Sequence, residues 1–150
     1  MTKNLAGAAL AALCVFVWPA RAAIQLDPGE WQDTETGTEN GQPAEPEVTT
    51  ECVTAQDAKD PVKALTQLKD TAGQQCKTMN VHESGNTLSF DMACGDAKTI
   101  LIAVTMTMTF QNSRHYTGRI KSNVGFAGKT LATDKQIDAK WISATCKTKK

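Results

Sequence analysis

The clearest pattern along the chain is a strict alternation of apolar and polar side chains from Thr99 to Phe110. A period of two over a long run rich in β-branched residues predicts a strand with one buried face. A helix would instead scatter these apolar side chains around its circumference. We expect this strand to be the spine of an antiparallel sheet. The apolar side chains that face one side of this strand are Ile100, Ile102, Val104, Met106, Met108 and Phe110.

The stretch before this strand predicts two strands and one helix. A polar strand begins at Trp31, and we expect it at a sheet edge or on a curved rim. A loop from Gly37 to Pro46 leads to a returning strand, Val48 to Val53. Asp60-Pro61 then has the form of a helix start, with Asp60 as cap and Pro61 in the first turn. Apolar residues recur at helical spacing after it, and we expect the helix to end between Asp70 and Gly73.

The segment from Cys76 to Cys94 predicts a hairpin that turns at Gly85-Asn86. A two-residue loop pairs Val81 with Phe90 and Met79 with Met92, but it places Cys76 opposite Gly95. A three-residue loop pairs Cys76 with Cys94 and brings Asn80 to Phe90. A β-bulge near Lys77 would reconcile the two registers.

Two strands follow the spine strand. The first runs from His115 to Asn123, after a turn at residues 111–114, and a wide loop from Val124 to Thr133 follows it. The last strand spans Gln136 to Cys146, and its change of parity predicts a bulge near Trp141-Ile142. The predicted fold class is therefore mainly β, with a minor α+β character. It is a single curved antiparallel sheet or open barrel of about seven strands with one short helix.

The N-terminus has the three parts of a signal peptide. Lys3 supplies a basic start, Leu5 to Trp18 is apolar, and a small-residue pattern predicts cleavage after Ala22. The apolar run is too short for a stable membrane anchor. A lipoprotein signal needs a small residue directly before its cysteine, and Leu13 before Cys14 therefore argues against lipidation. We expect residues 1–22 to be removed and residues 23–150 to form a single disulfide-bonded, β-rich domain in the periplasm.

Four cysteines remain after this cleavage, and an even number in an exported chain predicts two disulfides. Their spacing contains no C-x-x-C pair, which argues against a zinc site. Three pairings are possible in principle. The hairpin favours Cys76–Cys94, which leaves Cys52–Cys146 as the long clip.

The neutral net charge hides an asymmetry. Residues 27–51 contain eight acidic and no basic side chains, whereas ten Lys and Arg lie between Lys98 and the end. We interpret this as pairing of acidic early strands with basic later ones, in preference to a surface that steers a charged partner. The three lysines at the C-terminus are too few to predict nucleic-acid binding.

Several motifs in this order resemble a known family. Pro28-Gly29-Glu30-Trp31 opens the domain, Thr49 to Thr54 surrounds Cys52, and the hairpin is flanked by Cys76 and Cys94. With Tyr116-Thr117-Gly118 and Trp141-Ile142 before Cys146, the chain resembles the exported bacterial family known as domain of unknown function 3617. The resemblance implies a periplasmic, disulfide-bonded, mostly β domain, and it implies no activity.

No catalytic, cofactor-binding or metal-binding residue is predicted. His82 and His115 lie beside turns of different hairpins, so we interpret them as solvated surface residues. Met106 and Met108, with Met79 and Met92 near them, raise the possibility of a Cu(I) site. Their register with apolar neighbours favours core packing instead.

These observations favour a monomeric, non-enzymatic binding or interaction module. Its expected partner is another envelope protein or a small apolar ligand, with no nucleic acid and no stable membrane anchor after cleavage. One alternative is a carrier with an apolar cavity under the Met-rich sheet face. The other is an enzyme whose site is not recognisable from the sequence.

Overall fold

A computed structural model describes residues 24–67, 76–95, 100–126 and 128–147, so the expected signal peptide lies outside the described residues. Within these described residues, one seven-stranded antiparallel sheet with one short α-helix confirms the predicted fold class. A short 3-10 turn, Asp57–Lys59, precedes the helix. The elements are β1 (Gly29–Glu39), β2 (Gln42–Val53), α1 (Pro61–Thr66), β3 (Cys76–Ser84), β4 (Thr87–Gly95), β5 (Ile100–Asn112), β6 (His115–Phe126) and β7 (Lys129–Ser143).

The strand order is β2-β1-β7-β6-β5-β4-β3, with every neighbouring pair antiparallel. Strands β3 to β7 form a continuous meander, and the β1–β2 hairpin adds to the free side of β7. Strand β1 therefore lies inside the sheet, and the expectation that it forms an edge was wrong. Its pairing with β7 joins residues about a hundred positions apart, such as Trp31 and Trp141, which a local pattern does not reveal.

Two of the predicted loops are tight turns. Asn40 and Gly41, both with positive φ, join β1 to β2 where a loop from Gly37 to Pro46 was expected. Asn-Gly favours this two-residue hairpin because both residues tolerate left-handed backbone. The prolines that suggested a loop lie on β2, an edge strand, where a missing N–H is tolerated. Similarly, Phe126 pairs with Lys129, so the wide loop expected over 124–133 was also wrong.

The β3–β4 hairpin reconciles its two registers with a bulge, but not at Lys77. Ser84 pairs with Thr87 across a two-residue turn, and Cys76 pairs with Cys94. The register shifts by one where Asn80 and Val81 together oppose Phe90. Asn80 has φ of 53°, which asparagine tolerates, and its side-chain amide donates to Asp91 Oδ2 at 2.8 Å.

The bulge predicted near Trp141-Ile142 is confirmed. Trp31 pairs with Trp141 and the preceding Glu30 pairs with Ser143, so Ile142 is the extra residue. Ile142 is 43% exposed, while Trp31 on the opposite strand is fully buried.

Helix α1 starts where the sequence predicts and ends earlier. The Asp60 carboxylate accepts from the backbone N–H of Lys63, and Pro61 occupies the first turn. The helix stops at Thr66, whose hydroxyl donates back to the Val62 carbonyl at 2.7 Å. The expected end between Asp70 and Gly73 lies outside the described residues, but Gln67 already has non-helical backbone.

The sheet has two faces of opposite character. On the core face lie the alternate, apolar side chains of the spine strand. Ile24 and Leu26, from the segment before β1, also belong to the buried core on this face. The other face, here called the threonine face, carries the alternate side chains of the same strands, which are mostly polar. The buried core consists of Ile24, Leu26, Trp31, Leu88, Phe90, Met108, Phe110, Tyr116, Ile137 and Ala139.

The structure joins Cys52 to Cys146 and Cys76 to Cys94, the pairing favoured from the sequence. The first bond connects the end of β2 to the segment after β7, across 94 positions of sequence. The second closes the open end of the β3–β4 hairpin, across 18 positions. One bond is therefore nested within the other along the chain.

Candidate functional site

A groove of about 930 Å³ crosses the middle of the threonine face. It runs over four adjacent strands, β1, β7, β6 and β5, and is here called the threonine groove. Six threonines line it because the polar parity of each strand faces the same side. These are Thr34, Thr36, Thr105, Thr107, Thr109 and Thr117.

Strand register places polar groups of the groove in straight rows across the sheet. Thr36 pairs with Gln136, Gln136 with Arg119, and Arg119 with Thr107. Neighbouring strands lie about 4.8 Å apart, so this row of four side chains extends about 14 Å. Thr34, Asp138, Thr117 and Thr109 form a parallel row beside it.

Several groups in the groove are free to bind another molecule. Within the described ranges, the side chains of Thr34, Thr36, Thr107 and Gln136 have no hydrogen-bond partner. Each threonine presents a hydroxyl that can donate and accept, beside a methyl group that can pack against carbon. The groove therefore combines hydrogen-bonding capacity with modest apolar contact.

The charged part of the groove has a surplus of cations. Arg119 holds Asp134 with two bonds, Nε to Oδ1 at 2.7 Å and Nη2 to Oδ2 at 2.6 Å. Lys121 Nζ lies 3.9 Å from the same carboxylate. The hydrogen bond from Arg119 holds the pKa of Asp134 below its usual range. Two cations thus share one carboxylate at this end.

His115 lies at the other end of the groove, directly after the β5–β6 turn. Its Nε2 is 2.6 Å from Asp138 Oδ1, and Lys140 also donates to Asp138. The bond from Lys140, followed by that from His115, lowers the pKa of Asp138. His82 is exposed on edge strand β3, three strands away, so the two histidines do not meet.

The sheet separates one of the four methionines considered for copper from the other three. Met92, Met106 and Met108 share the core face, and Met108 is only 2% exposed within the core. Met79 pairs with Asp91 beyond the bulge, so it lies on the threonine face. The register that paired Met79 with Met92 was therefore wrong, because the bulge at Asn80–Val81 shifts Met79 by one position and pairs it with Asp91.

A carboxylate lies partly buried on the core face of β1. One oxygen of Asp33 is buried and has no hydrogen-bond partner in the described part of the chain. Burial, with the nearby charges of Glu51 and Glu35, raises the pKa of Asp33 to about 7. Lys135 Nζ binds Glu35 at 2.9 Å and Glu47 at 3.4 Å, and leaves Asp33 unpaired.

The far end of the core face is apolar but not covered by the core. Here β5, β6 and β7 carry six side chains that remain partly or largely exposed, here called the apolar strip. Phe126 is 60% and Leu131 39% exposed. The strip consists of Ile100, Ile102, Val104, Val124, Phe126 and Leu131.

The family comparison decides the relationship suggested by the sequence motifs. A family model described as protein of unknown function (DUF3617) matches residues 26–146. The chain belongs to the DUF3617 family. No curated protein and no solved structure matched it.

The match to the DUF3617 family includes all four cysteines of the two disulfides and ends at Cys146. None of the helices in the described part of this DUF3617 protein is long and apolar enough to cross a membrane. In the same residues, no cluster of three or more His, Cys, Asp or Glu side chains is arranged to hold a metal ion.

Sequence reasoning did not find the threonine groove of this DUF3617 protein. The alternating threonines of β5 were visible as the polar side of the spine strand. Their partners Thr36 and Gln136 join them only through the pairing of β1 with β7. That pairing is non-local, and the only signal for it was the match of an acidic early segment with a basic late one.

Proposed function

We propose that this protein is a non-enzymatic binding module that holds a polar, hydroxyl-rich ligand in the threonine groove. The observation that carries this proposal is the set of four polar side chains that have no hydrogen-bond partner among the described residues and line a groove of about 930 Å³, namely Thr34, Thr36, Thr107 and Gln136. A volume of this size is within the range of small-molecule sites. The proposal includes export to the periplasm, which two disulfides support.

The groove favours a segment of glycan with an acidic group. Threonine hydroxyls and the Gln136 amide can exchange hydrogen bonds with sugar hydroxyls, and threonine methyls can pack on the carbon ring. The two cations that share Asp134 would attract a carboxylate at one end of the ligand. A row of about 14 Å suits an extended ligand of a few sugar rings.

The arrangement supports binding more than chemistry. His115 and Asp138 form a hydrogen-bonded pair, but a nucleophilic site also needs an activated nucleophile within hydrogen-bond reach of the histidine. Asp138 is shared with Lys140, as in a surface charge network. We therefore assign His115 to ligand contact and not to proton transfer.

An apolar-ligand cavity under the Met-rich face is less well supported. Met108 is 2% exposed and packs with Leu88, Phe90 and Phe110. At this end of the core face methionine fills the interior.

The test is a titration of the isotope-labelled protein, followed by NMR shifts, with cellotetraose and tetragalacturonic acid as neutral and acidic probes. We expect the acidic probe to bind more tightly and to shift resonances of β1, β5, β6 and β7. Thr36→Val or Thr107→Val removes one hydroxyl while keeping the shape, so each should weaken binding about 3- to 10-fold.

Thr50→Val is the matched control, because Thr50 also lies on the threonine face, on β2, but does not line the groove. It should leave the affinity unchanged. Shifts that cluster outside the groove, or equal losses in all three variants, would contradict the proposal.

A further inference from the structure

We infer that the apolar strip binds the acyl chain of a single-chain anionic amphiphile, a long-chain fatty acid. This inference is independent of the threonine groove, which lies on the opposite face of the sheet. It rests on the position and the size of the strip and on the positive charge of Lys129 next to it.

The strip is a continuous apolar surface set by strand register. Ile100 pairs with Phe126, and Ile102 pairs with Val124, which in turn pairs with Leu131. Val104 continues the strip toward Met106 and Ile120, the first residues of this face that pack against the core. Contiguous apolar surface exposed next to a core is unfavourable in water, and covering it with another apolar group lowers the free energy.

The strip is narrow and short. It extends about 14 Å along β5 from Ile100 to Val104. Across β5, β6 and β7 it is about 10 Å wide, two strand spacings. Its footprint is about 140 Å², so two copies meeting through the strip would bury about 280 Å², against the roughly 1,200 Å² in total that specific protein interfaces bury.

These dimensions favour an acyl chain over a second copy of the protein. One leaflet of acyl chains spans about half of the ~30 Å hydrocarbon core of a bilayer, about 15 Å. A single extended chain of that length fits along the strip. The flexible side chain of Met92 pairs with Val104 at the edge of the strip and can adapt to the chain.

A cation lies at the outer end of the strip. Lys129 pairs with Phe126, so both project from the same face, and Lys129 is exposed. Lys129 has no ion pair among the described residues, whereas Lys135, further along the same strand face, is held by Glu35 and Glu47. The Lys129 ammonium is therefore placed to bind the carboxylate of a fatty acid whose chain lies on the strip.

The experiment is calorimetric titration of the full chain with myristate and with myristyl alcohol, both below their aggregation concentrations. We expect one myristate per chain and weaker binding of the alcohol. Phe126→Ser should weaken binding of both ligands at least five-fold. Lys129→Glu should weaken myristate binding at least three-fold and leave binding of the alcohol unchanged.

Val48→Ser is the matched control, because Val48 is also 60% exposed but lies on β2, on the threonine face. It should bind like the wild type. All three variants, Phe126→Ser, Lys129→Glu and Val48→Ser, change exposed residues, and circular dichroism will verify that each folds.

Three results would overturn the inference. The first is no binding of myristate, and the second is binding that Phe126→Ser leaves unchanged. The third is a wild-type dimer in sedimentation that Phe126→Ser dissociates, which would assign the strip to a second copy. None of these results bears on the glycan titration, since Thr36→Val leaves the strip intact.

Discussion

Gly29 shows how closely the first strand is fitted to the last. A Cβ atom at this position would lie 2.1 Å from the Ser143 carbonyl oxygen and 2.7 Å from Trp141 Nε1. Its φ of 138° also belongs to a region that other residues rarely adopt. The Pro28-Gly29 turn therefore needs glycine for two reasons, and neither can be seen in the sequence alone.

We expect Gly29→Ala to lower the free energy of unfolding by about 2–4 kcal/mol, because backbone and not a flexible side chain stands in the way. Urea denaturation measures it. Gly125→Ala is the control, since the nearest atom to its Cβ would be 3.8 Å away and it should change stability by less than about 1 kcal/mol. Similar losses in both variants would show that the close approach at Gly29 is not what matters.

Asp33 should make stability depend on pH in the direction opposite to most carboxylates. Its pKa is raised from 3.8 to about 7, so the folded state holds the proton more tightly than the unfolded state. The stability from this group is complete below about pH 3.8 and is lost as pH rises to about 7. Asp33→Asn removes the dependence.

Relative to wild type, Asp33→Asn should gain about 1–2 kcal/mol more at pH 8 than at pH 5, after allowance for partial solvent screening. Denaturation at the two pH values measures this difference. The control is Asp134→Asn, because the pKa of Asp134 is lowered and the group is ionised at both values. An Asp33→Asn effect that is equal at pH 5 and pH 8 would mean that Asp33 is already ionised in the folded protein at pH 5.

At the scale of elements, the β3–β4 hairpin carries one residue more than a regular ladder allows. The surplus is taken up where Asn80 and Val81 oppose Phe90. Without it, Cys76 would face Gly95 and the disulfide could not close. The bulge is therefore what brings Cys76 opposite Cys94.

Deleting Asn80 should remove the bulge and leave the Cys76–Cys94 bond in place. The residues before it move one step toward the turn, so Cys76 still meets Cys94, and Val81 pairs with Phe90. Non-reducing peptide mapping will detect the bond. Deletion of Ser89 from the facing strand is the control, because it moves Cys94 out of register. Free thiols in the Asn80 deletion would show that the bulge has another role.

Local pattern was enough to predict the existence of every strand but not their neighbours. The alternation of Ile100 to Phe110 and the parity change at Ile142 are properties of one segment each, and both were predicted correctly. The position of β1 depends on contact with β7, and the tight Asn40-Gly41 turn was obscured by the two prolines that follow it. The threonine groove depends on this non-local pairing of β1 with β7, so the sequence could predict its β5 wall but not its shape.

At the scale of the whole molecule, the Cys52–Cys146 bond should contribute more than the hairpin bond. It closes a separation of 94 residues, against 18 for Cys76–Cys94. The loop-entropy model gives about 4.7 kcal/mol for a loop near 100 residues and about 3 for a short one. It also holds the β1–β2 hairpin to the C-terminal end of the domain.

We expect replacing both Cys52 and Cys146 by alanine to cost about 2–5 kcal/mol, and replacing Cys76 and Cys94 to cost less. Thermal and urea denaturation of the two double variants gives the comparison. The reverse order would mean that the hairpin bond resists strand separation and that chain entropy is not the main term.

The order of the cysteines along the chain determines which of them can form a disulfide first during synthesis. A chain that enters an oxidising compartment N-terminus first presents Cys52 and then Cys76 long before Cys146. At a synthesis rate of about 5–20 residues per second, Cys146 follows Cys52 by roughly 5–20 seconds. During that interval the β1–β2 hairpin has no β7 to join, and the first partner that Cys52 meets is the wrong one. If the chain is exported to an oxidising compartment, as proposed above, its maturation needs either delayed oxidation or a thiol exchange that releases Cys52 to pair with Cys146.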